Sequence, residues 1–146
     1  FFSVIDRATG QVQVILSLMS IVPEQGRIEI GHVTFGPPMQ RSPKSTEAVY
    51  LLAKHPSEQG YRRLEWKCNN VNGRAKYAAE RLGFSFEGVF RHHTVVKGKN
   101  RDTAWYSIID AEWPAVGAGF EAWLSPDNLN GDRQLKTLLE CRTAPI

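Results

Sequence analysis

Residues 64–84 constrain the fold more than any other stretch, because the hydrophobic period changes inside them. Leu64, Trp66 and Cys68 alternate with Glu65 and Lys67, the period of two that a half-buried strand requires. Asn69 to Asn72 is a polar turn. From Gly73 to Leu82, residues Ala75, Ala78, Ala79 and Leu82 recur at helical spacing, and Gly83 follows where a helix end favours a left-handed residue. The stretch therefore reads as a strand, an asparagine-bearing turn and an amphipathic helix ending in Leu82-Gly83-Phe84.

The flanking sequence supplies more strands. Phe1 to Asp6 and Gln11 to Val22 are rich in β-branched and large apolar residues around the turn Ala8-Thr9-Gly10, which suggests an antiparallel hairpin. After a turn at Pro23 to Gly26, Arg27 to Phe35 alternates Ile28, Ile30 and Val33 with Glu29 and His32; Gly31 breaks the period and marks a candidate bulge. Gly36-Pro37-Pro38 ends that strand. A helix is expected from Thr46, with Ala48, Val49, Leu51 and Leu52 as its stripe and Pro56 as its stop. Phe84 to Val89 and Thr103 to Asp110 read as strands around a basic connector, Arg91 to Arg101. Beyond Pro114 the chain turns helical through Phe120, Trp123 and Leu124, a stripe expected to serve packing, and after a Pro/Asp/Asn/Gly turn again at Leu135, Leu138 and Leu139. The order β-β-β-α-β-α-β-β implies an α/β fold, a mixed sheet covered by helices.

Composition narrows the setting. With 146 residues, 42% hydrophobic and 23% charged, one domain with one core is expected. No apolar run approaches the roughly 18 residues of a membrane span, and no signal segment opens the chain, so a soluble, cytoplasmic protein with no membrane partner is expected. Phe1 to Ile5 already looks like a strand in progress, as in part of a longer domain. Cys68 and Cys141 lack the spacing of a disulfide framework or zinc site, and no metal is expected. The net charge of +3 suits an anionic small ligand as readily as a nucleic acid. The basic connector would serve the latter, but no aromatic stacking platform is interleaved with it; a solvated hairpin tip is the commoner use.

Two strand-to-helix loops, Pro37 to Glu47 and Cys68 to Ala75, are the places for a cofactor. At this point the chain resembles the GNAT acetyltransferase superfamily, in particular the branch of ribosomal-protein N-terminal and related small-molecule acetyltransferases. The resemblance rests on Gln40 to Ala48, Glu65 to Asn69, Asn72 to Phe84, Glu87-Gly88 and Val96 to Trp105. It implies a mostly antiparallel sheet with flanking helices, and acetyl-CoA as acyl donor. It further implies a GNAT domain over residues 1–113 that lacks its first strand and helices, with 114–146 as a helical extension. The family holds the CoA pyrophosphate at a helix start through Gln/Arg-x-x-Gly-x-Gly/Ala, where free amides and the helix dipole suit an anion. Gln40 takes the first position; Arg41, Ser42, Lys44, Ser45 and Thr46 follow as phosphate ligands, and Pro43 and Ser45 replace small residues. The alternative for this loop is a helix cap at Ser42-Pro43 beside solvated basic residues.

The resemblance also implies that Glu65 to Cys68 splay from a neighbouring strand to admit the pantetheine arm. Asn72 matches the cofactor-binding Asn, and helix capping is its alternative role. The usual proton donors are replaced by Ala75 and Ala79, and Tyr77 lies off their face. Lys54 to Gly60 departs from relatives, where a longer apolar helix end is usual. For the base that neutralises the acceptor amine, Glu29 and His32 are the candidates; on a regular strand they point oppositely unless Gly31 is a bulge. The implied function is direct acetyl transfer to the primary amine of a small molecule or peptide amino terminus. A non-catalytic CoA-binding module and a basic nucleic-acid-binding domain are the alternatives, and a homodimer stays open.

Overall fold

A computed structural model describes residues 1–40, 42–131 and 133–143. The alternating stretches form β1 (Phe2–Ile5), β2 (Val12–Val22), β3 (Arg27–Phe35), β4 (Arg63–Asn69), β5 (Ser85–Val96) and β6 (Lys99–Ile109), one sheet in the order β1-β2-β3-β4-β6-β5. All neighbours are antiparallel except β3 and β4, which run parallel. A parallel pair needs a crossover, and helix α1 (Pro43–Glu58) provides it. Helix α2 (Gly73–Arg81) joins β4 to β5; α3 (Trp113–Leu124), the small hairpin of β7 (Leu129–Asn130) with β8 (Arg133–Gln134), and α4 (Leu138–Thr143) complete the chain. This is the mixed, mostly antiparallel sheet with flanking helices that the sequence implied.

Alternation sorts the sheet into two unlike faces. Leu16, Ile28, Ile30, Leu64, Trp66, Tyr106 and Ile108 are buried in the core with Val49 and Leu52 of α1 and Val116 and Phe120 of α3. Helix α2 closes the same face, where Tyr106 Oη donates to Glu80 Oε1 at 3.4 Å and Phe84 packs on Trp66. The opposite face carries Ser17, Glu29, Glu65, Lys67, Trp105 and Ser107, which find their partners in one another and in neighbouring charges.

Several elements differ from expectation; at the C-terminal end Leu135 lies outside α4, which starts at Leu138 behind the unexpected β7–β8 hairpin. Helix α1 begins at Pro43 rather than Thr46, because Ser42 caps it and proline at the first helical position has no amide to waste. It also continues through Pro56 to Glu58: the lost hydrogen bond falls in the last turn, and Pro56 itself fills core space. The basic connector is not a connector, since β5 and β6 run through it and leave only Lys97-Gly98 as the turn. Both turn residues have positive φ, 50° and 73°, which suits the twist of a two-residue hairpin loop. Gly83, at φ 100°, ends the second helix as read from the sequence.

Candidate active site

The parallel pairing of β3 with β4 is short. It joins Arg27 to Arg63, Ile28 to Leu64 and Glu29 to Glu65, and there it stops although both strands continue. The cause lies on β3. Ser17 faces Gly31 but Ile15 faces Thr34, so β3 carries one extra residue, a bulge that bends it away from β4. His32 takes φ 51° within it, and the Met19 sulfur occupies the space a Cβ on Gly31 would need. Beyond Glu29 and Glu65 the facing edges of the two strands diverge and leave a wedge, the splay that the resemblance implied.

The bulge also settles the orientation of the two candidate bases. Glu29 and the Gly31–Ser17 pair share the open face, and His32 reaches that face to bond Ser17. The two do not touch. Glu29 is 2% exposed, and its Oε2 accepts from Lys67 Nζ at 2.9 Å and from Ser20 Oγ at 3.0 Å. His32 Nδ1 lies 3.1 Å from Ser17 Oγ, which donates its proton to Gly31 O at 2.9 Å. With that proton given to Gly31 O, the hydroxyl is placed to accept from Nδ1–H, the tautomer in which Nε2 carries the lone pair.

Sequence reasoning missed Glu65 as a site residue. It is Glu29's partner across the mouth of the wedge and is 5% exposed. Its Oε1 accepts from Arg63 Nε at 2.8 Å, whereas Oε2 is shut from solvent without a hydrogen bond, with Arg27 Nη1 at 3.8 Å. Arg63 also grips Glu87 with two bonds of 2.7 Å, and Glu87 accepts from Ser107 Oγ. The guanidinium holds the Glu87 carboxyl below its usual range, and the two carboxylates raise Arg63 in turn. The alternation of Glu65 with Trp66 put this carboxylate opposite the core; only the parallel register puts it beside Glu29.

The described residues among those expected to bind phosphate gather around the first turn of α1, and each has an internal partner. Gln40 Nε2 donates to Phe35 O at 3.1 Å, and Ser42 Oγ donates to Met39 O at 2.8 Å while accepting from Ser45 N at 3.4 Å. Ser45 Oγ donates to Ser42 O, and Lys44 pairs with Asp6, whose carboxyl it holds below the usual range. Thr46, buried, accepts from Arg81 Nη1 at 3.1 Å. Arg41 lies outside the described residues. Asn72 caps α2, its Oδ1 accepting from Ala75 N at 3.1 Å. Ala79 is fully buried and Tyr77 exposed, and burial pushes the Tyr106 phenol up to about 12. Among the described residues no three His, Cys, Asp or Glu side chains gather as a metal site.

The chain is similar to a crystallised GCN5-related N-acetyltransferase from Brucella melitensis, at 50% identity and a TM-score of 0.94 over 97% of this chain and 65% of that one. The chain belongs to the GNAT family. A GNAT-family protein from Chromobacterium violaceum is 47% identical, with a TM-score of 0.68 over 73% of this chain and 57% of its own. The chain thus spans less than two thirds of the length of these GNAT structures. The microcin C7 self-immunity acetyltransferase MccE, solved with acetyl-CoA and AMP, is 25% identical, with a TM-score of 0.62 over 68% of this chain and 55% of its own. The ribosomal-protein-S5-alanine acetyltransferase from Vibrio fischeri shares 18% identity at a TM-score of 0.66, over 76% of this chain and 61% of that one. At that distance it speaks for the fold alone, so the narrower branch expected from the motifs is not carried by it. No protein-family model and no curated protein sequence matches the chain.

Proposed function

We propose that the chain is the acetyl-transferring part of a cytoplasmic GNAT enzyme that acylates a primary amine of a small molecule or a peptide amino terminus. The observation that carries this reading is the wedge between β3 and β4. Its unpaired strand edges suit an extended, amide-bearing arm, as in strand addition, and the start of α1 beside it offers a helix terminus with Ser42, Ser45 and Lys44 for phosphates. Acetyl-CoA, as carried by MccE, would supply the thioester whose C–S bond breaks as the C–N bond forms. On this reading Asn72 holds the arm while capping α2. No described helix is long and apolar enough to cross a membrane.

The residues at the mouth of the wedge divide the proton work. The acceptor arrives as an ammonium and leaves as an amide, giving up two protons, one of which the departing thiolate takes up to leave as the thiol. Glu65, with one oxygen free, is the better first acceptor of a proton; Glu29 is tied by Lys67 and Ser20 and serves to position Lys67. A backbone amide freed by the bulge at Gly31-His32 is the proposed oxyanion donor. Ala75 and Ala79 supply no acid, which is the observation favouring the second reading, a CoA-binding module without turnover.

Acetyl-CoA titration followed by thiol release across an amine panel tests both. Turnover that falls roughly 100-fold or more in Glu65→Gln supports the first reading. Binding without thiol release supports the second. Binding of RNA but not of acetyl-CoA would overturn both.

A further inference from the structure

Tallying the hydrogen bonds on the open face leaves Glu65 Oε2, Trp105 Nε1 and most of Arg27 unspent. Arg63 is used up by Glu65 and Glu87, and Glu87 by Arg63 and Ser107. Glu65 Oε2 has no donor although its residue is 5% exposed. Arg27 commits Nε to Gln25 Oε1 at 2.9 Å, and otherwise only approaches Glu65 Oε2, at 3.8 Å. That spacing is too long for a hydrogen bond. An unmet acceptor and an underused guanidinium therefore stand side by side on one cleft of about 290 Å³, whose other walls are the paired Arg63 and Glu87 with Gly88, Phe90 and Trp105.

Resting on the acetyl-transfer reading above, we propose that this cleft takes an amine that also bears a carboxylate and an apolar side chain, an amino acid or a similar zwitterion. The ammonium meets Glu65 Oε2 at the mouth of the wedge, where the nitrogen must be for transfer. The carboxylate meets Arg27, whose planar fork matches it and whose displacement from Glu65 costs only a long ion pair. The side chain lies against Phe90 and Trp105, whose ring centroids are 5.3 Å apart. A polyamine fits worse: each added ammonium would face Arg27, Arg63 and Lys67 without a spare carboxylate. A polyphosphate-bearing acceptor fits worse too, because Glu65, Glu87 and Glu29 line the same face.

Phenylalanine, phenylalaninamide and phenethylamine keep the ring and the amine while varying the carboxylate, and thiol release gives kcat/KM for each. Because the amide's amine is the more acidic, the test is the change in the acid-to-amide ratio between variants. Arg27→Gln should lower that ratio roughly 10- to 100-fold, the worth of hydrogen bonds to a charged group, and Arg27→Lys should fall between it and the native chain. Acetyl-CoA affinity, measured by calorimetry on each variant, checks that the fold survives. A ratio unmoved by Arg27→Gln, or turnover of other amines with none of these three, overturns the zwitterion inference and leaves the acetyl-transfer reading standing. Absence of acetyl-CoA binding, or binding with no turnover of any amine, overturns both.

Discussion

Replacing Arg63 with Met should cost the fold about 3 kcal/mol, and most of that loss should vanish when Glu65 is neutralised as well. Methionine keeps the apolar stem, so packing is nearly conserved and the charge is what is removed. Two arms of the network contribute unequally. The Glu87 side chain is 39% exposed, so its bond to Arg63 is in the range of surface pairs, about 0–1 kcal/mol. The Glu65 side chain is 6% exposed, and without Arg63 it becomes a buried carboxylate facing only the distant Arg27. Stranding such a charge costs about 3–5 kcal/mol, reduced here because Arg27 and solvent entering where Arg63 stood would compensate in part. For a chain of this size the fall in midpoint is roughly 2–4 °C per kcal/mol, or roughly 6–12 °C. Urea unfolding of Arg63→Met, Glu65→Gln and the double variant forms the cycle, and a coupling of about 2 kcal/mol is expected. Additive losses, or a single-variant cost below about 1 kcal/mol, would show that Glu65 is not held as a charge by Arg63.

Three further outcomes follow from the same geometry. Asn72→Ala should lose about 1 kcal/mol of stability with the α2 cap and weaken acetyl-CoA binding; Asn72→Ser restores the cap, so affinity that stays weak in calorimetry separates cofactor contact from capping. Lys97→Asn should stabilise the β5–β6 hairpin by about 0.5–1 kcal/mol, because Asn tolerates the positive φ that Lys is forced to adopt, and a thermal melt reads the gain. Arg63 lowers Glu87 below its ordinary value near 4.5, so the unfolded chain takes up that proton first. The stability it contributes is complete above that value and disappears as pH falls through the lower folded one. The difference in urea midpoint between the native chain and Glu87→Gln should therefore be present at neutral pH and shrink in strong acid.

What the sequence disclosed was local. The alternation of Leu64, Trp66 and Cys68, the helical spacing through Leu82 and the left-handed Gly83 are decided by neighbours within a few residues, and a reader of the chain can find them. Gly31 could be marked as a bulge for the same reason, since a gap in the period is a local signal. The consequence of the bulge was not local. That it turns His32 toward Ser17, and ends the β3–β4 ladder after Glu29 and Glu65, depends on contacts between residues far apart in the chain. Pro56 misled because a rule about helix interiors was applied to a last turn, where one absent amide costs little and the ring fills the core. The connector Arg91 to Arg101 misled because exposed edge strands need no apolar alternation, and its charges are what keep such an edge soluble. The roles at the wedge were hidden most deeply. The sequence singled out Glu29 as a candidate base and offered Glu65 only as part of the splayed strand, and what distinguishes them is which cation each meets across the sheet: Lys67 closes on one, while Arg63 leaves the second oxygen of the other without a hydrogen bond. On the proposed reading the choice between these carboxylates is a matter of register, and a one-residue change in the β3 bulge should disturb it. Deleting Gly31 would restore a regular ladder to β2, set His32 in the place of Gly31 directly opposite Ser17 and extend the β3–β4 pairing into the wedge, so acetyl-CoA affinity should fall while the sheet persists. Undiminished affinity in that deletion, with circular dichroism unchanged, would mean that the wedge is not where the donor lies.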